Sequence, residues 1–118
     1  FLTGKCGKGE SFDKKYDYRA SMPQFTDDAV DENRKLLKLL NELAEKKNST
    51  PAQISMAWMM CKKPWIVPIP GMRKAKRMAE NAGAADIVLT GKEVKDIDKA
   101  LDTMKMSEVF GGTSTTVK

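Results

Sequence analysis

The densest chemistry in the sequence lies in the run Gly71, Met72, Arg73, Lys74, Ala75, Lys76, Arg77, Met78, Ala79, Glu80, Asn81. A glycine lets a ligand approach the backbone, and the free amides and positive dipole end of a following helix favour a phosphate. Arg73, Lys74 and Arg77 then fall within the first turns of that helix, near one anion. Glu80 lies three residues beyond Arg77, one turn further on the same face, where its carboxylate and the amide of Asn81 can read a nucleotide base. The residues spell either a nucleotide site for phosphate plus adenine or a solvated basic helix, and both readings stand at this point.

Other chemistry is excluded by composition. The chain has no histidine, so imidazole general-base work, Ser/His/Asp hydrolysis and histidine-ligated metals have no residue to carry them. Cys6 and Cys61 are too far apart for a metal or redox signature, which points to free thiols in a reducing compartment, with one structural disulfide left open.

The elements that must position the basic run follow from the pattern around it. With 118 residues, a formal charge of +5, 41% hydrophobic and 31% charged residues, the chain has the make-up of one globular domain. It contains no apolar stretch of the roughly 20 residues a membrane helix needs and no signal-peptide pattern, so a soluble, cytoplasmic protein is expected. Its opening on Phe1 suggests a piece of a longer protein.

Residues 1–25, with glycines at 4, 7 and 9 and scattered aromatics, read as a long loop that packs down over a site. Residues 26–64 read as two helices. The first is capped at Thr26 and carries a stripe of Leu36, Leu37, Leu40, Leu43 and Ala44; the second opens on a Thr50–Gln53 capping box with Pro51 at its first position. The second helix is apolar nearly all round from Ile54 to Cys61, which predicts burial. Residues 65–71 read as a strand buried on both faces and its exit turn, Trp65 to Ile69 followed by Pro70 and Gly71. Residues 72–104 hold a helix from Met72 to Asn81, with Ala75, Met78, Ala79 and Ala82 on one face, and a last helix behind a Thr90–Glu93 capping box. Residues 105–118 are a Gly, Ser and Thr rich tail.

One buried strand cannot close a sheet. The chain is therefore expected to be one end of an α/β structure, with ligands at the mouth of the strand beside Gly71.

The stretch Thr50 to Asn81, TPAQISMAWMMCKKPWIVPIPGMRKAKRMAEN, resembles the C-terminal part of the aldo-keto reductases, and FLTGK with YDYRASMPQF is similar to the segment after their seventh barrel strand. The resemblance covers essentially the whole chain. It implies an α/β fold: a C-terminal fragment of a TIM (β/α)8 barrel, predominantly helical when isolated, with one or two short parallel strands. It also implies reduction of a small-molecule aldehyde or ketone with NADPH. Gly71, Met72 and Arg73 then begin the adenosine phosphate loop, and Arg73 and Arg77 meet the 2'-phosphate and the adenine face, with Lys74 beside them. Glu80 and Asn81 bond the adenine amino edge. Lys5 and Arg19 match positions that reach the cofactor pyrophosphate, with the loop from Gly7 to Phe25 folding over it. The family's catalytic tyrosine and its lysine, aspartate and histidine supports sit on earlier strands. No catalytic residue is assigned here, the catalytic half is expected upstream of Phe1, and the fragment alone is expected to be inactive.

Two further readings compete. A non-catalytic module binding nucleic acid or a nucleotide through residues 73–77 would use the same charge, but no aromatic for base stacking lies between Trp65 and Phe110. A regulatory subunit that kept the cofactor pocket and lost catalysis is the other. Neither nucleic acid nor membrane is expected as a partner, and the isolated fragment is expected to self-associate through its exposed strand edges.

Overall fold

The computed structural model describes Thr3 and residues 6–103. Four α-helices follow one another: α1 (Asp27–Lys46), α2 (Pro51–Lys62), α3 (Ala75–Ala82) and α4 (Gly91–Thr103), with short 3-10 turns at Tyr18–Ser21, Pro23–Phe25 and Gly83–Asp86.

Three of the helices begin where the local sequence supplies a cap. Thr26 accepts from the amide of Ala29 at the start of α1, where Asp27 and Asp28 also complement the positive end of the dipole. At α2 the capping box is complete: Thr50 Oγ1 accepts from the Gln53 amide at 3.3 Å and Gln53 Oε1 accepts from the Thr50 amide at 2.9 Å. Thr90 and Glu93 repeat the device at α4.

The amphipathic faces then close on each other. Leu36, Leu40, Leu43 and Ala44 of α1, Ile54 and Ala57 of α2, Leu89 of the connector before α4 and Ile97 of α4 form one core, flanked by Trp58, Val94 and Leu101. Ile54 and Ile97 are completely enclosed, and truncating either to alanine costs about 2–5 kcal/mol. Polar clamps hold α2 to α4 at the rim of this core. Trp58 Nε1 donates to Asp98 Oδ1 at 2.8 Å, and Lys62 Nζ pairs with Asp98 Oδ2 at 2.6 Å.

Several expectations are corrected. Trp65 to Ile69 is not a buried strand: no strand occurs among the described residues, and Trp65, Val67 and Ile69 are 73%, 77% and 96% exposed. A parallel strand exists only through a neighbour's hydrogen bonds, and the described residues include none for it to pair with. The α2 helix buries one face rather than its whole circumference, with Ile54, Met56 and Ala57 inside and Cys61 outside. Both cysteines are free thiols, so no disulfide joins them. The helix expected from Met72 begins at Ala75. Extending it by a turn would crowd Arg73 and Lys74, with Lys76 and Arg77, onto the positive end of its dipole. The apolar face of α3 is also uncovered: none of its residues is buried, and Met78 is 56% exposed.

Candidate functional site

The basic run folds into a bend at Arg73 and Lys74 followed by the short α3. Lys74 occupies the position before the helix and its carbonyl accepts from the Arg77 amide at 2.9 Å, but it provides no side-chain cap for the amides of Ala75 and Lys76.

Three hollows adjoin one another here. Gly71, Met72, Arg73, Lys74 and Arg77 line the first, of about 540 Å³. Lys74 and Arg77 are shared with a second of about 380 Å³, completed by Lys76 and Glu80. Met72 is shared with a third, an apolar groove of about 260 Å³ walled by Met56, Met60, Val67, Pro68 and Met78, with Asn81 in its lining.

The charge in these hollows is unbalanced. Arg77 Nη1 pairs with Glu80 Oε2 at 2.8 Å, both side chains being three-quarters buried or nearly so. Arg73, Lys74 and Lys76 have no carboxylate partner among the described residues. A guanidinium carries five N–H donors, so the Glu80 pairing leaves Arg77 with donors to spare for an anion. The apolar groove holds the complementary feature. Asn81 Nδ2 is shielded from solvent and lacks a hydrogen-bond partner among the described residues, a cost of about 1–3 kcal/mol. A multiply charged phosphate beside a planar apolar ring with acceptor nitrogens is the ligand such a surface suits.

The structure thus brings together Gly71, Met72, Arg73, Lys74, Arg77, Glu80 and Asn81. It does not bring Arg19 to them. Arg19 Nε donates to Asp17 Oδ1 at 2.9 Å, its guanidinium lies 4.5 Å from the centre of the Phe12 ring, and it lines none of the three hollows. That bond holds the Asp17 carboxyl below the usual carboxylate range. The loop itself is tied to the start of α1, through Lys8 Nζ to Asp31 Oδ2 and the Gly9 amide to Asp27 Oδ1, each at 2.8 Å. Lys5 lies outside the described residues.

Two residues at the site escaped the motif. Thr50 Oγ1 donates to Glu80 Oε1 at 3.3 Å, and Gln53 Nε2 donates to the Glu80 carbonyl at 2.7 Å. Their capping pattern was legible in the sequence, but nothing local connects them to a residue 27 or 30 positions away.

Comparison with known proteins settles the family. The model of the aldo/keto reductase family matches residues 1–102. The chain belongs to the aldo/keto reductase family. It is 36% identical over 98 residues to aldo-keto reductase str7 of Strobilurus tenacellus, covering 83% of this chain and 29% of that protein. It is 33% identical over 111 residues to the NADP(+) aldo-keto reductase yakc of Schizosaccharomyces pombe, covering 94% and 32%. A probable aldo-keto reductase 1 of Glycine max is 33% identical over 90 residues, covering 76% and 25%. The chain spans about a third or less of the length of these relatives. No solved structure matches it. Membership implies the TIM-barrel architecture of the family. No described helix is long and apolar enough to cross a membrane.

Proposed function

We propose that this chain is the C-terminal, NADP-adenosine-binding part of a cytoplasmic aldo-keto reductase that reduces aldehydes or ketones with NADPH. The observation that carries the proposal is the unbalanced cationic hollow of Arg73, Lys74 and Arg77 next to a groove with an unpartnered amide donor. The donor set fits the cofactor's adenosine end. A 2'-phosphate suits the guanidinium groups of Arg73 and Arg77 with Lys74 alongside, and an adenine ring suits the methionine-walled groove that Asn81 helps to line. Glu80 provides the acceptor for the adenine amino group. Lys5 and Arg19 serve the pyrophosphate, which requires Arg19 to leave Asp17.

Bound NADPH supplies the hydride, and this chain's residues hold and orient its far end. Catalytic groups come from the remainder of the barrel, so the 118-residue chain alone is inactive.

The test is cofactor titration of the full-length reductase that contains this segment, wild type against Arg77→Ala. Charge-assisted hydrogen bonds contribute about 1.5–3 kcal/mol each, so losing Arg77 should weaken NADPH binding by roughly ten- to a hundredfold and leave NADH within about twofold. Equal affinity of the wild type for NADPH and NADH would sink the proposal. A steep loss of affinity for single-stranded DNA with added salt, at equal cofactor affinities, would instead favour the nucleic-acid module.

A further inference from the structure

We infer that Gln53 is a positioning residue for the Arg77–Glu80 pair, so that the N-terminus of α2 tunes the cofactor site; the inference rests on the cofactor reading above. Both ends of the Gln53 amide are in use. Its oxygen completes the capping box with the Thr50 amide at 2.9 Å, and its nitrogen donates to the Glu80 carbonyl at 2.7 Å. Thr50 does the same with its hydroxyl, accepting from the Gln53 amide and donating to Glu80 Oε1, both at 3.3 Å. Glu80 is therefore held by its backbone and by one carboxylate oxygen, and its other oxygen holds Arg77 at 2.8 Å. A continuous path of hydrogen bonds runs from the cap of α2 to the guanidinium that lines both cationic hollows.

Three observations mark this path as more than a helix cap. A capping box works equally well with glutamate at the third position, yet only glutamine has the N–H that reaches the Glu80 carbonyl. α3 has no buried residue and no side-chain cap of its own, so these bonds are among the few restraints on where it sits. Gly83 makes room for the contact: a Cβ there would stand 2.9 Å from Gln53 Nε2. Its φ of −61° is open to any residue, so the glycine serves space and not conformation.

Gln53→Glu separates the two roles in the full-length reductase. It keeps an acceptor for the Thr50 amide but removes the donor and sets a carboxylate against the Glu80 carbonyl. Loss of one such bond predicts that KM for NADPH rises roughly three- to tenfold with kcat unchanged and NADH binding changing less. Amide exchange across residues 75–86 should quicken while that of α2 holds. Gly83→Ala, which pushes Gln53 away from the other side, should act in the same direction and covers the case in which Gln53→Glu folds poorly. Unchanged NADPH affinity in both variants, or an equal loss for NADPH and NADH, overturns the inference. Arg77→Ala run in parallel keeps the two proposals apart. If Arg77→Ala leaves cofactor preference intact, the cofactor reading fails, and exchange at 75–86 alone decides the positioning role: faster in Gln53→Glu supports it, unchanged refutes it.

Discussion

At the scale of single residues, the site depends on how one side chain divides its hydrogen bonds. Arg77 spends Nη1 on Glu80 and keeps the rest of its fork for the hollow. Lysine conserves the charge but presents a point ammonium on a flexible stem and cannot hold a carboxylate and a phosphate in one fixed plane. Arg77→Lys in the full-length reductase should therefore lose roughly three- to tenfold in NADPH affinity, part of the Arg77→Ala loss. Wild-type affinity in isothermal titration of Arg77→Lys would show that charge alone is read there. The cations themselves were legible because their meaning is local: a glycine, then basic residues at the start of a helix. What Glu80 does was half legible. Its spacing from Arg77 predicted a shared face, and the two form an ion pair. Its ties to Thr50 and Gln53 depend on α2 and α3 meeting in space, which residue spacing within either helix does not encode.

At the scale of elements, caps and stripes carried the reading. α1, α2 and α4 start at the threonines that their sequences nominate, because a cap is settled within four residues. The strand failed because pairing is a property of two segments, and its partner is not in the described chain. Leu89 and Ala84, both buried, lie in the connector between α3 and α4 and had no periodicity to announce them. The caps also govern the response to acid. The Thr90 amide, then Lys47 at 2.9 Å, hold the Glu93 carboxyl below its ordinary range, and Lys62 with Trp58 do the same for Asp98. With carboxyl pKa values depressed in the folded chain, the unfolded chain binds more protons. Their stabilisation is thus present above the unfolded-state value of about 4 and is lost as pH falls through the lower folded values. No histidine titrates between. The melting temperature should be level from about pH 8 to about pH 5 and drop below about pH 4. Glu93→Gln retains the capping box and loses the Lys47 ion pair, so its acid-side drop should be shallower; an unchanged profile would show that the Glu93 contacts do not contribute.

At the scale of the whole molecule, the four helices bury one face and leave another bare. Val67, Met72 and Met78 line the apolar groove and are 77%, 44% and 56% exposed, and Trp65 and Ile69 of the same segment are exposed as well. Contiguous apolar surface of this kind is uncommon on a monomer and draws in whatever can cover it. In a barrel the rest of the sheet would do so. For the 118-residue chain alone the available cover is another copy, and the segment 65–69, with its exposed apolar side chains and no strand partner among the described residues, is the part most suited to pair with it. Sedimentation of the isolated chain should accordingly show a dimer or larger species that dissociates on dilution. Because Val67 and Ile69 touch solvent and lie outside the buried core, Val67→Lys with Ile69→Lys should shift the population toward monomer and leave the helical signal in circular dichroism intact. A wild-type chain that sediments as a monomer at all concentrations and melts cooperatively would mean that the core around Ile54 and Ile97 suffices. The exposed segment would then be a tolerated feature of an autonomous helical domain rather than the seam along which it joins a larger fold.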